Sequence, residues 1–135
     1  MTRVSPGLRR RVRLRAEGRC EYCRKPEAVE HIGHQADHIV PEKHTGTTTY
    51  DNLAWACFRC NSTKSDDIAS YDEVTRLLTP LYNPRADRWD DHFELAATGH
   101  IHGTSPVGRV TVRILQLNRS RQVEIRRLLL EAGRL

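Results

Sequence analysis

Residues 35–64 read QADHIVPEKHTGTTTYDNLAWACFRCNSTK and hold most of the polar groups that could support chemistry. Asp37 and His38 are adjacent near the start, Asn52 lies in the middle, and Asn61 follows near the end. A histidine can accept a proton from water near neutral pH. Carboxylate and amide oxygens suit a hard divalent cation. The stretch therefore predicts a metal-assisted hydrolytic site.

The four cysteines form two matching pairs, Cys20-x-x-Cys23 and Cys57-x-x-Cys60. Each pair supplies two thiolates from one tight turn, and a structural zinc ion takes four such ligands. A redox dithiol and a structural disulfide are the alternatives, but two pairs of equal spacing favour zinc. Four thiolates leave no open coordination position, so the predicted zinc is structural.

From about Cys20 to Lys64 the chain resembles the active-site segment of the HNH endonuclease family. Asp37-His38 stands at the family's first histidine and Asn52 at its middle asparagine. Asn61 stands at the last position, where many members carry a third histidine. The upstream cysteine pair is similar to that of the zinc-bearing branch.

The resemblance implies a ββα-metal fold around one Mg²⁺-type ion. It gives His38 the role of general base, and it gives Asn52 the role of fixing a loop and orienting that histidine. Asp37 and Asn61 are the expected ligands of the catalytic ion. Asn61 offers a neutral oxygen in place of an imidazole nitrogen, which favours Mg²⁺ or Mn²⁺ over softer ions. Lys64 is expected to contact phosphate.

Charge points to an acidic partner. Lys and Arg outnumber Asp and Glu by 22 to 17, which gives a net charge of +5 and a pI of about 9.3. Nucleic acid is the commonest partner of such proteins, and duplex DNA is the partner expected here. Arginine-rich ends could bind phosphates or could be solvated helix faces. The predicted contacts besides Lys64 are Arg9, Arg10, Arg11 and Arg13.

Composition predicts a thin core. Only 38% of the residues are hydrophobic and 6% are aromatic, so a metal is expected to stabilise the domain. The first residues contain no apolar run that could act as a signal peptide or a membrane span. We therefore expect no membrane association and a reducing cytoplasmic location, where cysteines stay thiols or bind metals. The sequence gives no indication of the oligomeric state.

The pattern of elements predicts a single α+β domain over residues 1–135. Its ββα-metal core is expected at about 18–70, between a basic N-terminal helix at 5–17 and an extension at 80–135. The core prediction has a strand over 31–40, a strand or loop segment that begins with 53–56, and a helix at 60–69. The later elements are a helix at 71–78, a hairpin at 92–102, a helix that begins after Ser105, and a last helix capped by Asn118. For the segment after Ser105, the alternation of Val110, Val112 and Ile114 leaves a strand as the alternative.

These observations favour a metal-dependent DNA endonuclease that hydrolyses phosphodiester bonds. The alternative is a non-catalytic, zinc-stabilised module that binds nucleic acid through its basic ends. That alternative explains the cysteines and the arginines. It leaves Asp37, His38, Asn52 and Asn61 without an explanation.

Overall fold

The computed structural model describes residues 3–135, which divide into two compact units. The first unit comprises residues 3–68 and Asn83–Ala86, and the second comprises Ala69–Tyr82 and Asp87–Leu135. Helices and short antiparallel strand pairs occur together, which confirms the α+β fold class. The assignment of the chain to a single domain stays a prediction. Within residues 3–135, no helix is both long and apolar enough to cross a membrane.

The first unit is a two-stranded sheet with two helices. Strands β1 and β2 are antiparallel, with His38 opposite Leu53 and Gln35 opposite Ala56. Their position confirms both strands, although β1 is shorter than the predicted 31–40. The elements are α1 (Pro6–Arg15), β1 (Gln35–His38), β2 (Leu53–Ala56) and α2 (Phe58–Lys64).

Helix α1 begins as its sequence predicts and packs on the sheet. The Ser5 hydroxyl accepts a hydrogen bond from the Leu8 amide at 3.2 Å, and Pro6 occupies the first turn, where its missing N–H is not needed. Val12 is fully buried against Leu53 and Trp55. This small apolar cluster joins α1 to β2, the strand that leads into the second cysteine pair.

Helix α2 is shorter than predicted because the chain reverses at Ser65. That residue has φ 48°, and its amide donates to the Asn61 carbonyl at 3.1 Å. A residue with this positive φ cannot continue the helix, so α2 ends here. The prediction of a helix over 60–69 is therefore wrong at its C-terminal end, and the chain enters a strand at Ala69.

The second unit contains two hairpins and two helices. Strand β3 pairs with β4 and strand β5 pairs with β6, both antiparallel. The elements are β3 (Ala69–Tyr71), β4 (Leu78–Pro80), β5 (Phe93–Leu95), β6 (Ile101–Gly103), α3 (Pro106–Ile114) and α4 (Ser120–Glu131).

The predicted helix at 71–78 is wrong, because this segment is the turn of the β3–β4 hairpin. Asp72 accepts a hydrogen bond from the Thr75 amide at 2.9 Å, which closes the turn, and Arg76 is left-handed with φ 64°. Both Asp72 oxygens also accept from Arg109 at 2.9 Å. Arg109 lies 37 residues away, so the local sequence gives no sign of the partner that fixes this turn.

The remaining elements are mostly as predicted. The hairpin at 92–102 is confirmed as β5 and β6, and Ser105 caps α3 by accepting from the Gly108 amide at 3.0 Å. The cap of α4 differs, because Arg119 occupies that position. Asn118 instead hydrogen bonds to both the amide and the carbonyl of Ile101 at 2.9 Å.

Candidate metal and catalytic sites

The four predicted zinc ligands lie together in the first unit. Their sulfur atoms all lie within 4.8 Å of one another, and all four residues are buried. The Cys23 and Cys57 sulfurs are 3.7 Å apart. Tetrahedral zinc with Zn–S bonds of about 2.3 Å separates its sulfurs by about 3.8 Å. The residues are thus placed to bind a metal ion and fit zinc.

Two similar turns present these thiols. The Cys23 amide points at the Cys20 sulfur at 3.5 Å, and the Cys60 amide points at the Cys57 sulfur at 3.4 Å. Cys57 is the N-cap of α2, directly after β2. The first pair is fixed to the same strand, because the Glu21 amide donates to the Trp55 carbonyl at 2.8 Å. Strand β2 therefore brings both pairs to one point.

The surroundings of the cluster determine how readily its thiols ionise. Burial raises the pKa of Cys20, so this thiol does not ionise readily unless a cation compensates. Hydrogen bonds from the other three cysteines lower the pKa of Cys57. The nearby ammonium of Lys25 is fully buried and forms an ion pair with Glu30. A buried cation at this place offsets part of the negative charge of four thiolates.

A separate cavity of about 410 Å³ lies between β1, α2 and the turn after β1. Asp37, His38 and Asn61, three residues of the predicted catalytic set, line it together. The other lining residues are Gln35, Ala36, Pro41, Glu42, Lys43, Ser65 and Asp66. The ββα arrangement thus brings a carboxylate, an imidazole and an amide to one open space.

Asp37 is buried and held by two side chains. Its Oδ2 accepts from the Tyr22 hydroxyl at 3.0 Å and lies 3.1 Å from the Lys64 ammonium. Burial raises the pKa of Asp37, while Lys64 and Tyr22 act in the opposite direction. Both contacts use Oδ2. Within residues 3–135 the other oxygen, Oδ1, accepts no hydrogen bond, which makes it the candidate metal ligand.

Lys64 occupies a different place from the surface position that a phosphate contact needs. It is 1% exposed, and its ammonium also donates to the His38 carbonyl at 2.8 Å. Lys64 therefore links α2 to β1 and offsets the charge of Asp37 through Oδ2. Phosphate contact by this residue stays a prediction, and the geometry fits a positioning role better.

The Lys64→Ala substitution separates these two roles. Removing one partner of a buried ion pair typically destabilises a protein by about 3–5 kcal/mol, so we expect a clear loss of stability in urea denaturation. The Arg59→Ala variant, which changes an exposed residue of the same helix, is the control. Unchanged stability of Lys64→Ala together with weaker DNA binding would contradict the positioning role.

His38 has one nitrogen engaged and one available. Its Nε2 lies 2.8 Å from the Thr48 hydroxyl and 3.9 Å from Glu42 Oε1. Within the described chain, Nδ1 has no hydrogen-bond partner. A proton on Nε2 directed at Thr48 leaves Nδ1 as the basic nitrogen. His38 thus has the geometry of a positioned general base.

Asn52 fixes the loop that follows β1. Its Nδ2 donates to the Val40 carbonyl at 2.9 Å and to the Thr47 carbonyl at 2.7 Å, and its Oδ1 accepts from the Val40 amide at 3.0 Å. A Cβ on Gly46 would lie 1.6 Å from the Val40 carbonyl oxygen, so only glycine fits there. The loop held in this way places the Thr48 hydroxyl next to the His38 ring.

Asn61 faces β1 from α2. Its Nδ2 donates to Gln35 Oε1 at 2.9 Å. Its Oδ1 has no hydrogen-bond partner among residues 3–135. Asp37 and Asn61 each offer one uncommitted hard oxygen to the cavity, which is a donor set suited to Mg²⁺ or Mn²⁺.

The segment that contains both sites matches a known family. Residues 20–67 match the family model of the HNH endonucleases. The match covers about a third of the chain, and this segment is similar to HNH endonuclease domains. The family supports a nuclease-type function, and the cysteine cluster fits its zinc-bearing branch. No match was found among curated proteins or among solved structures.

The arginines of α1 make more contacts within the first unit than their number in the sequence suggests. Arg9 donates to the His34 carbonyl at 3.1 Å and lies 4.9 Å from the centre of the Trp55 ring. Arg13 pairs with Glu27, and the hydrogen bond that Arg13 donates to Glu27 raises the pKa of Arg13. These two guanidinium groups help to attach α1 beside the HNH domain.

Arg11 has a partner in the first unit, whereas Arg10 has none among residues 3–135. Arg11 lies 4.3 Å from the centre of the Tyr50 ring, whereas the Arg10 side chain has no partner among residues 3–135. In the second unit, Arg126 is fully buried and donates to the Gly99 carbonyl at 2.7 Å. Phosphate contacts by the four arginines of α1 stay a prediction, and Arg10 is the least committed of them.

Three residues of the HNH site were missed by sequence reasoning. Tyr22 lies between two zinc ligands, and Thr48 is one of three consecutive threonines, so neither stands out in the sequence. Gln35 had a usable signal. It lies two residues before Asp37 on β1, and alternate residues of a strand share a face.

Proposed function

We propose that this protein is a metal-dependent endonuclease that hydrolyses phosphodiester bonds of DNA. One observation carries the proposal: Asp37, His38 and Asn61 line a single open cavity inside a matched HNH domain. The positive net charge of +5 suits a DNA substrate.

Each polar group of the chain has a defined task in this proposal. His38 Nδ1 removes a proton from the attacking water, while Thr48 holds the ring through Nε2. The water oxygen bonds to phosphorus as the bond to the leaving oxygen breaks. Asp37 and Asn61 would hold the catalytic ion. When bound, Mg²⁺ or Mn²⁺ would stabilise the charge on the phosphate and on the leaving oxygen.

The four-cysteine cluster has a structural role in the same proposal. Four thiolates complete the coordination of zinc and leave no position for water or substrate. Zinc there would join the turn at Cys20 to the start of α2, which carries Asn61. Such a site needs reduced thiols, in keeping with the proposed cytoplasmic location.

The alternative of a non-catalytic binding module has less support. It depends on basic ends that are free to meet phosphate, yet Arg9, Arg11 and Arg13 all have partners in the first unit. It also gives no role to the uncommitted oxygens of Asp37 and Asn61. A protein that binds DNA and never cleaves it would favour this alternative.

The Asn61→Ala variant tests the proposed metal ligands. Because it removes one hard oxygen, we expect the affinity for Mn²⁺ to fall more than in Gln35→Ala, which loses only a partner of the ligand, a change that typically costs about 10–100-fold. Excess Mn²⁺ is expected to restore part of the cleavage. Gln35→Ala is the matched control, since it removes the same hydrogen bond and keeps the Asn61 oxygen. Mn²⁺ binding followed by electron paramagnetic resonance on zinc-loaded protein gives the affinity. Equal affinity in wild type and Asn61→Ala would contradict the assignment.

A further inference from the structure

Lys43 is the basic residue best placed to meet substrate at the HNH cavity. It is exposed and lines the cavity together with Asp37, His38 and Asn61. Within residues 3–135, its ammonium has no hydrogen bond or ion pair. Lys64, the lysine expected to contact phosphate, is buried against Asp37 instead.

The turn that carries Lys43 is fixed at several points. Lys43 is the middle residue of a 3-10 turn, Glu42–His44, which Gly46 closes by donating to the Pro41 carbonyl at 3.0 Å. His44 Nε2 lies 3.1 Å from the Asp66 carbonyl, so the turn also contacts the segment after α2. A cation on an anchored turn loses less conformational freedom on binding than a cation on a mobile loop.

The charges of the cavity wall give Lys43 a specific role. The described wall contains three carboxylates, those of Asp37, Glu42 and Asp66, and a single cation, Lys43. These lining residues carry a formal charge of −2, which the buried Lys64 beside Asp37 reduces to −1, and this excess repels a phosphodiester. A divalent ion held by Asp37 and Asn61 would remove this excess, and Lys43 would then supply the attraction for the next phosphate.

We propose that the Lys43 ammonium binds a backbone phosphate of duplex DNA at the mouth of the cavity and positions the strand for cleavage. This inference rests on the proposed endonuclease function for the identity of the ligand. It assigns to Lys43 the phosphate contact that the sequence pattern assigned to Lys64.

The test compares Lys43→Ala and Lys43→Arg with Arg59→Ala. Arg59 is an exposed cation on α2 that lies outside the cavity wall, and its guanidinium has no partner within residues 3–135. DNA affinity is measured against salt with the His38→Ala substitution in every protein, so that the DNA stays intact. Loss of one phosphate contact is expected to reduce the slope of log affinity against log salt by about 0.9. Lys43→Arg and Arg59→Ala are expected to keep the original slope.

Single-turnover cleavage with His38 present completes the test. For Lys43→Ala, we expect a higher DNA concentration at half-maximal rate and a smaller change in the maximal rate. An unchanged salt slope and unchanged concentration dependence in Lys43→Ala would overturn the proposal, and so would an equal effect in Arg59→Ala. If wild type binds DNA and does not cleave it, the endonuclease function fails, and the salt slope still decides whether Lys43 contacts phosphate.

Discussion

Replacing Cys57 with serine is expected to remove zinc from the protein and to unfold its first compact unit. Zinc binding by four-ligand sites in small peptides contributes about 10–16 kcal/mol to folding, whereas whole domains are stable by about 5–15 kcal/mol. The apolar core of this unit is a small cluster around Val12, Leu53 and Trp55. Because this core is small, the free energy of zinc binding is expected to decide whether the unit folds.

Metal analysis and circular dichroism measure this result. Wild-type protein is expected to contain one zinc per chain, and Cys57→Ser little or none. The Ser62→Ala variant, altered at an exposed residue of the same helix, is the control and is expected to keep both zinc and structure. Folded wild-type protein with four free thiols and no zinc would contradict the structural role of the cluster.

The second large effect is expected from His38→Ala, which removes the proposed base. Loss of a general base typically slows catalysis by about 10²–10⁴-fold, so DNA cleavage is expected to fall by this factor. DNA affinity and zinc content are expected to stay near those of wild type, because His38 is not a zinc ligand. Added Mn²⁺ is not expected to restore the rate, since the missing group transfers a proton.

Two further variants act as controls for this result. Asn52→Ala is expected to slow cleavage less than His38→Ala, because Asn52 acts through the loop it holds. Thr48→Val keeps the imidazole and removes the hydroxyl that lies against Nε2. If His38→Ala cleaved DNA at the wild-type rate, the assignment of His38 as general base would be wrong.

Features encoded by short spacings could be predicted from the sequence. The two cysteine pairs predict their own cluster, because each pair forms one tight turn and zinc requires four ligands. Asp37 and His38 are adjacent, and the strands on either side of the intervening loop have apolar residues that identify them. The cysteine cluster followed from these local patterns, whereas the ββα unit was expected from the resemblance to the HNH family.

Features that depend on partners distant in sequence could not be predicted in this way. Lys64 looks like a surface lysine on a helix, and only the tertiary fold places it against Asp37. Asp72 follows strand β3 and pairs with the distant Arg109, although residues 71–78 have an acceptable helix pattern. The fold also uses Arg9 and Arg13 for internal contacts, which a charge count cannot distinguish from a free basic surface.

Single-turnover cleavage of supercoiled plasmid tests the endonuclease function most directly. Zinc-loaded wild type and His38→Ala are each incubated with Mg²⁺, with Mn²⁺ and without added divalent ion, and zinc content is measured afterwards. We predict that wild type nicks or linearises the plasmid only with an added ion, while His38→Ala is slower by about 10²–10⁴-fold. Intact plasmid after incubation with folded, zinc-loaded wild type under every metal condition would contradict the endonuclease function.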